Sequence, residues 1–148
     1  MIRFVLVMLF TLALDRYSKF IIMNKMTEGQ SVPVWNKVFH LTYIQNPGAA
    51  FGLLAGKTWF FIMITTLVLL AMVLGWRWIQ KAGPLYHWAL GLVAGGAVGN
   101  LIDRLLYTRV IDFLDFRIWP VFNLADTAIC IGVGLILLDA FKDLRRVR

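Results

Sequence analysis

Four apolar stretches are each long enough to cross a membrane as a helix, and three of them carry an aspartate inside. A hydrocarbon core about 30 Å thick takes about 20 helical residues and penalises every charge placed within it. That pairing constrains this chain more than any single motif. The expected spans cover residues about 4–22, 59–79, 86–106 and 120–141, with Asp15, Asp103 and Asp126 in the first, third and fourth. Composition agrees. Sixty per cent of the 148 residues are hydrophobic and 16% are charged, against about 45–50% and roughly 25% in soluble domains. These values argue against both a water-soluble enzyme and a disordered binder.

The net charge of +7 reads as basic flanks around membrane spans and not as a nucleic-acid surface. One side holds Arg3, the short loop with Arg77 and Lys81, and the tail Lys142, Arg145, Arg146 and Arg148. The other spreads Lys25, Lys37, Lys57, Arg109 and Arg117 over longer connections, so both termini are expected in the cytoplasm. The first stretch lacks a small-x-small cleavage site and is read as a retained span, not a cleaved leader. Between the first two spans, residues about 24–58 form an extracytoplasmic segment in which Val38 to Ile44 favours short strands. The expected class is therefore an all-α membrane protein: one domain over 1–148, four transmembrane helices, and a small β-containing segment between helices 1 and 2.

Depths follow from a rise of about 1.5 Å per residue, which sets Asp15 roughly 18 Å in and Asp103 and Asp126 each about 22 Å from the cytoplasmic side. The three carboxylates thus share a level nearer the outer face. Asn100, Asp103 and Arg104 share one helix face, as do Asn123 with Asp126 and Asp15 with Ser18 and Lys19. One reading is a purely internal network in which Arg104 neutralises Asp103. Asp112 is different, flanked by Ile111 and Phe113 in an apolar stretch beyond the third span. Poor solvation should raise its pKa. Brought beside Asp126, it would form a pair that cannot fully ionise and can both activate water and protonate a leaving group, as in an aspartic protease.

Other chemistries fit less well. The only serines are Ser18 and Ser31, and His40 and His87 are expected on opposite sides of the membrane, so no Ser-His-Asp triad is expected. Cys130 sits in an apolar run, and neither an HExxH motif nor a Cys/His cluster is present, so no metal is expected. Gly91, Gly95 and Gly99 form a small-residue stripe that suits close helix packing. Two non-proteolytic readings stay open on residues alone: a small ion-conducting protein, which predicts acids spread through the membrane depth, and a scaffold, which gains nothing from Asp112.

Five blocks in order carry a resemblance. They are Asp15-Arg16-Tyr17-Ser18-Lys19, Asn46-Pro47-Gly48-Ala49-Ala50-Phe51-Gly52, the run from Gly95 to Arg104, Val110-Ile111-Asp112-Phe113, and Phe122-Asn123-Leu124-Ala125-Asp126-Thr127. Together they resemble the bacterial lipoprotein signal peptidases, the type II signal peptidase family. The resemblance implies that Asp112 and Asp126 are the catalytic dyad and that Asp15, Asn46, Gly52, Asn100, Asp103, Arg104 and Asn123 position dyad or substrate. It implies cleavage of a diacylglyceryl-modified prolipoprotein just before the lipidated cysteine, without metal or cofactor. The setting would be the bacterial cytoplasmic (inner) membrane, with the site toward the outer leaflet. Expected partners are that substrate and membrane lipid, with no nucleic acid and with the chain acting as a monomer. One position departs: Thr108 stands where the family usually has Gly.

Overall fold

The structure is a computed structural model that describes residues 1–48 and 54–146, with side chains as far as Lys142. Helix α1 covers Ile2–Lys25, and strands β1 (Ser31–Trp35) and β2 (Phe39–Asn46) form a hairpin. Helices α2 (Thr58–Leu74), α3 (Trp76–Lys81) and α4 (Pro84–Tyr107) follow, then strand β3 (Val110–Asp115) and helix α5 (Leu124–Arg146). The fold is mostly helical, and among the described residues two helices have both the length and the apolarity of a crossing, Pro84–Tyr107 and Leu124–Lys142. Helix α2 is apolar but only 17 residues long.

Three expectations need correcting. The chain is not all-α, because β1, β2 and β3 form one antiparallel sheet in that order. Its third strand lies beyond α4, outside the segment 24–58. The free edge of β2 demands backbone partners, and β3 supplies them with Ile44 opposite Asp112 and Asn46 opposite Val110. The stretch 59–79 is two helices, not one, divided at Gly75, the poorest helix former in the run. Residues 120–123 are not helical either. Phe122 is held by β3, its carbonyl accepting from Phe113 N–H and Leu114 N–H at 2.9 and 2.8 Å, so α5 cannot start before Leu124.

Helix α4 lies between α1 and α5, and its small residues let both approach. A Cβ at Gly95 would meet the Met8 carbonyl oxygen at 2.6 Å, and one at Gly91 would meet Phe4 O at 2.9 Å. On α5, Gly132 receives the Ala89 carbonyl in the same way, 2.5 Å from a built Cβ. The small-residue stripe is thus a packing device for α1, as its spacing suggests. At the other end of α1, buried Ile22 packs with Tyr43, Ile111 and Phe113. That cluster seats the sheet on the helix ends and fixes the height of β3.

Candidate active site

Asp112 reaches its place through a tight reversal. Helix α4 closes with Thr108 at φ 60° and ψ 3°, its N–H bonded to the Arg104 carbonyl at 3.1 Å, and β3 begins two residues later. This left-handed backbone is where glycine costs least. A threonine adopts the same turn here. Along β3, Asp112 is buried, with 2% of its surface exposed.

Asp126 is placed by how α5 starts. Asn123 Oδ1 accepts the Asp126 N–H at 2.9 Å, and Asp126 Oδ2 accepts the Asn123 N–H at 3.3 Å. This reciprocal pair is a capping box with Asn and Asp in the two roles. The N–H of Ala125 is capped from a distance, by Asp15 Oδ1 of α1 at 3.1 Å. The spacing Asn123-Leu124-Ala125-Asp126 is therefore a helix start as well as a site.

Three amides join the two aspartates. Asn123 Nδ2 donates to Asp112 Oδ1 at 2.7 Å, and Asn46 Nδ2 donates to Asp112 Oδ2 at 2.9 Å. Asn100 Nδ2 donates to Asp126 Oδ1 at 2.7 Å, while its own Oδ1 accepts from Asn123 Nδ2 at 3.1 Å. Asn46 sits at the end of β2, and its Oδ1 turns the chain by accepting the Gly48 N–H at 2.9 Å. Burial, joined by the nearby charge of Asp126, pushes the Asp112 carboxyl up to about 7, against the lowering pull of its amide donors. Both aspartates line one cavity of about 620 Å³, together with Asn46, Arg104, Trp119 and Cys130. Two carboxyl groups on the wall of one cavity, with the Asp112 proton held more tightly than in an exposed aspartate, are an arrangement suited to general acid–base chemistry.

Behind this pair lies a buried ionic cluster. Lys19, with no exposed side-chain surface, pairs with Asp15 at 3.0 Å and Asp103 at 2.7 Å. Arg16 pairs with the other oxygen of Asp103. This overturns the expected Arg104–Asp103 neutralisation. Neighbours at i+1 point to different faces, and Arg104 instead lies over the Phe61 ring, 5.0 Å from its centroid, and lines the cavity. Lys19 and Arg16 are the functional candidates that the sequence reading passed over. Both carried a signal as charges inside the first expected span, and Lys19 also stands four residues after Asp15 on the same face. Gly52 and most of the stretch from Ala49 to Leu54 lie outside the described residues.

The exclusion of a serine triad also needs amending. The hairpin brings Ser31 Oγ to 3.1 Å from His40 Nδ1, but Ser31 runs on through Thr42 to Asp115 without that carboxylate bonding the imidazole. The third member is therefore out of place. His87 bonds the Ile79 carbonyl at 2.8 Å and is structural.

Helices around a paired-carboxylate cavity define a class, the membrane aspartic peptidases. The family described as signal peptidase (SPase) II matches residues 7–142. The lipoprotein signal peptidase of Moorella thermoacetica is 52% identical over 130 residues, 88% of this chain and 87% of that protein. The one from Brevibacillus brevis is 48% identical over 139 residues, 93% of each. A bacterial membrane enzyme solved by the in meso method at 2.3 Å superposes with a TM-score of 0.90 at 36% identity, covering 98% of this chain and 91% of that one. A second, at 1.9 Å, gives 0.84 at 38% identity, covering 95% and 93%. The chain belongs to the signal peptidase II family, peptidases that remove signal peptides from prolipoproteins.

Proposed function

We propose that Asp112 and Asp126 are the catalytic dyad of a signal peptidase acting on diacylglyceryl-modified prolipoproteins just before the lipidated cysteine. The observation that carries this reading is the shared hold of Asn123, whose side-chain amide grips both aspartates at the wall of one cavity. In the reaction, the ionised carboxylate takes a proton from water as its oxygen bonds the scissile carbonyl carbon. The protonated carboxyl gives its proton to the carbonyl oxygen. The carboxyl that took the proton from water then gives it to the leaving nitrogen as the C–N bond breaks, while the other carboxylate takes back a proton from a hydroxyl of the intermediate as the new carboxyl C=O forms. No metal or cofactor enters this scheme.

Charge counting supports a single shared proton. Arg16 and Lys19 balance Asp15 and Asp103 within the buried cluster. Among the described residues that line the cavity, Arg104 is then the cation beside Asp112 and Asp126. One proton on the pair makes this second set neutral as well, which a poorly hydrated site favours. Asp15, Asn46, Gly52, Asn100, Asp103, Arg104 and Asn123 act as supporting residues in this scheme.

The proposed setting is the bacterial inner membrane, crossed four times by α1, α2 with α3, α4 and α5, with residues 1–148 as one unit and the chain a monomer. Arg3, Arg77, Lys81 and Lys142 sit at the helix ends remote from the sheet, which favours cytoplasmic termini and a site toward the outer leaflet. A substrate's acyl chains would stay in lipid and hold its cysteine at that depth, each buried CH₂ contributing about 0.8 kcal/mol. The test is cleavage of a diacylglyceryl-modified prolipoprotein in membranes by Asp112→Asn and Asp126→Asn. Both should be inactive while inserted and folded. Retention of more than about a tenth of the wild-type rate by either would sink the assignment, since an amide cannot play the shared-proton role.

A further inference from the structure

The buried lysine of α1 has more partners than charge balance requires. Lys19 Nζ lies 3.0 Å from Asp15 Oδ2, 2.7 Å from Asp103 Oδ2 and 3.0 Å from Asn100 Oδ1. An ammonium has three protons and no acceptor, so its three acceptors use it fully. Two of them are carboxylates, as neutralisation would predict. The third is a neutral amide, and that amide touches Asp126.

The consequence is directional. An asparagine amide can rotate by half a turn and exchange its oxygen for its nitrogen at little cost in shape. Rotated, Asn100 would aim its NH₂ at the ammonium and its oxygen at the Asp126 carboxylate, donor against donor and acceptor against acceptor. A donor-only neighbour forbids that state. With Oδ1 held by Lys19 and by Asn123 Nδ2, the Asn100 NH₂ is directed at Asp126 Oδ1, 2.7 Å away. The second proton of the Asn123 amide goes to Asp112 Oδ1 at 2.7 Å.

We propose that Lys19 is a positioning residue for the aspartate pair: its ammonium fixes the orientation of the Asn100 amide and so the hydrogen bond that Asp126 receives. This rests on the dyad reading above. The lysine does not touch substrate and acts through Asn100. Its loss should therefore lower turnover and leave substrate affinity unchanged.

Lys19→Met alone strands Asp15 and Asp103 with one cation, so the test uses charge-balanced pairs of substitutions. In Lys19→Met combined with Asp15→Asn, Arg16 and Asp103 still cancel, and the new Asn oxygen can accept the Ala125 N–H. In Lys19→Gln combined with Asp15→Asn, a neutral N–H donor remains beside Asn100. Thermal melts in detergent and kcat and KM on a diacylglyceryl-modified prolipoprotein are measured for both, beside Asp112→Asn. The Met pair is expected to lose about 10- to 100-fold in kcat, the scale of a small misplacement, with KM unchanged, and the Gln pair to recover part of it. Near-wild-type kcat in the Met pair overturns the proposal, because Lys19 would then only neutralise. So does a Gln pair no better than the Met pair, or loss of cooperative melting in both. Activity surviving in Asp112→Asn would instead overturn the dyad reading itself.

Discussion

Lys19 Nζ stands 2.7 Å from Asp103 Oδ2, and neither side chain exposes any surface. The partner of Asp103 thus comes from α1, 84 positions away in sequence, and not from the adjacent Arg104. This assigns opposite roles to two neighbouring residues of α4. Asp103→Ala leaves Lys19 and Arg16 short of one compensating charge in a dry place and should cost about 3–5 kcal/mol. Arg104→Ala removes a cation over Phe61, worth about 1 kcal/mol, while taking the positive charge from the cavity wall. Thermal melts and cleavage assays should separate them, Asp103→Ala losing stability first and Arg104→Ala losing activity with a smaller change in melting, because the aspartate pair can take up a second proton in place of the lost cation. Equal destabilisation by the two would argue that Arg104 is tied into the buried cluster.

The raised Asp112 carboxyl makes a pH prediction whose sign can be worked out. Folded, the group holds its proton up to about 7; unfolded, an aspartate releases it near pH 3.9. Between those limits the folded state binds the extra proton, so the Asp112 contribution to stability is present at low pH and is lost as pH rises through about 7. Wild type should therefore lose stability relative to Asp112→Asn on going from pH 4 to pH 7. Activity should respond in the same range, since the pair gives up its working proton above about pH 7 and kcat/KM then falls about tenfold per unit. A kcat/KM that stays level to pH 9, or a stability difference independent of pH, would contradict the shared-proton arrangement.

Thr108 offers a gain of stability. Its φ of 60° is uncommon for a β-branched residue, and the left-handed region costs an L-residue roughly 1–2 kcal/mol. Glycine relieves that strain but adds freedom to the unfolded chain, worth about 0.4–1 kcal/mol in the other direction. Thr108→Gly should leave a net gain near 1 kcal/mol, visible as a small rise in melting temperature with activity kept. A lower melting temperature would indicate that the threonine hydroxyl, bonded to the Tyr107 carbonyl at 2.6 Å, contributes more than the strain costs.

The polar residues announced themselves in sequence because charges inside apolar runs have few uses, and helical spacing sorted them onto faces. Asp112, Asp126, Asn100 and Asn123 were visible in this way, whereas Asn46 entered only through the resemblance, since it lies at a turn outside the spans. Long-range pairing was not visible. Strand β3 reads locally as an apolar stretch, and its partner β2 lies 66 positions earlier at the Asn46–Asp112 contact. Still longer separations, 110 and 87 positions, hide the Asp15 carboxylate on the Ala125 N–H and Arg16 on Asp103. Helix breaks at Gly75 and before Leu124 were lost because a hydropathy run does not register where the backbone changes state.

Packing between α1 and α4 gives a last prediction that links structure to turnover. A methyl group at Gly95 would lie 2.6 Å from the Met8 carbonyl oxygen and 2.7 Å from Thr11 Cβ, too close for either to stay in place. Gly95→Ala must therefore push α1 away, at about 1–3 kcal/mol for overpacking. Since α1 carries Asp15 and Lys19, the displacement also disturbs Asn100 and the cap of α5. Gly134→Ala is the control: nothing lies within 4 Å of its built Cβ, and an alanine within a helix gains roughly 0.5–1 kcal/mol over glycine. Melting in detergent and cleavage rate should both fall for the first and hold or rise for the second. If Gly95→Ala kept full activity, the close approach of α1 to α4 would not be what holds the buried cluster against the aspartates.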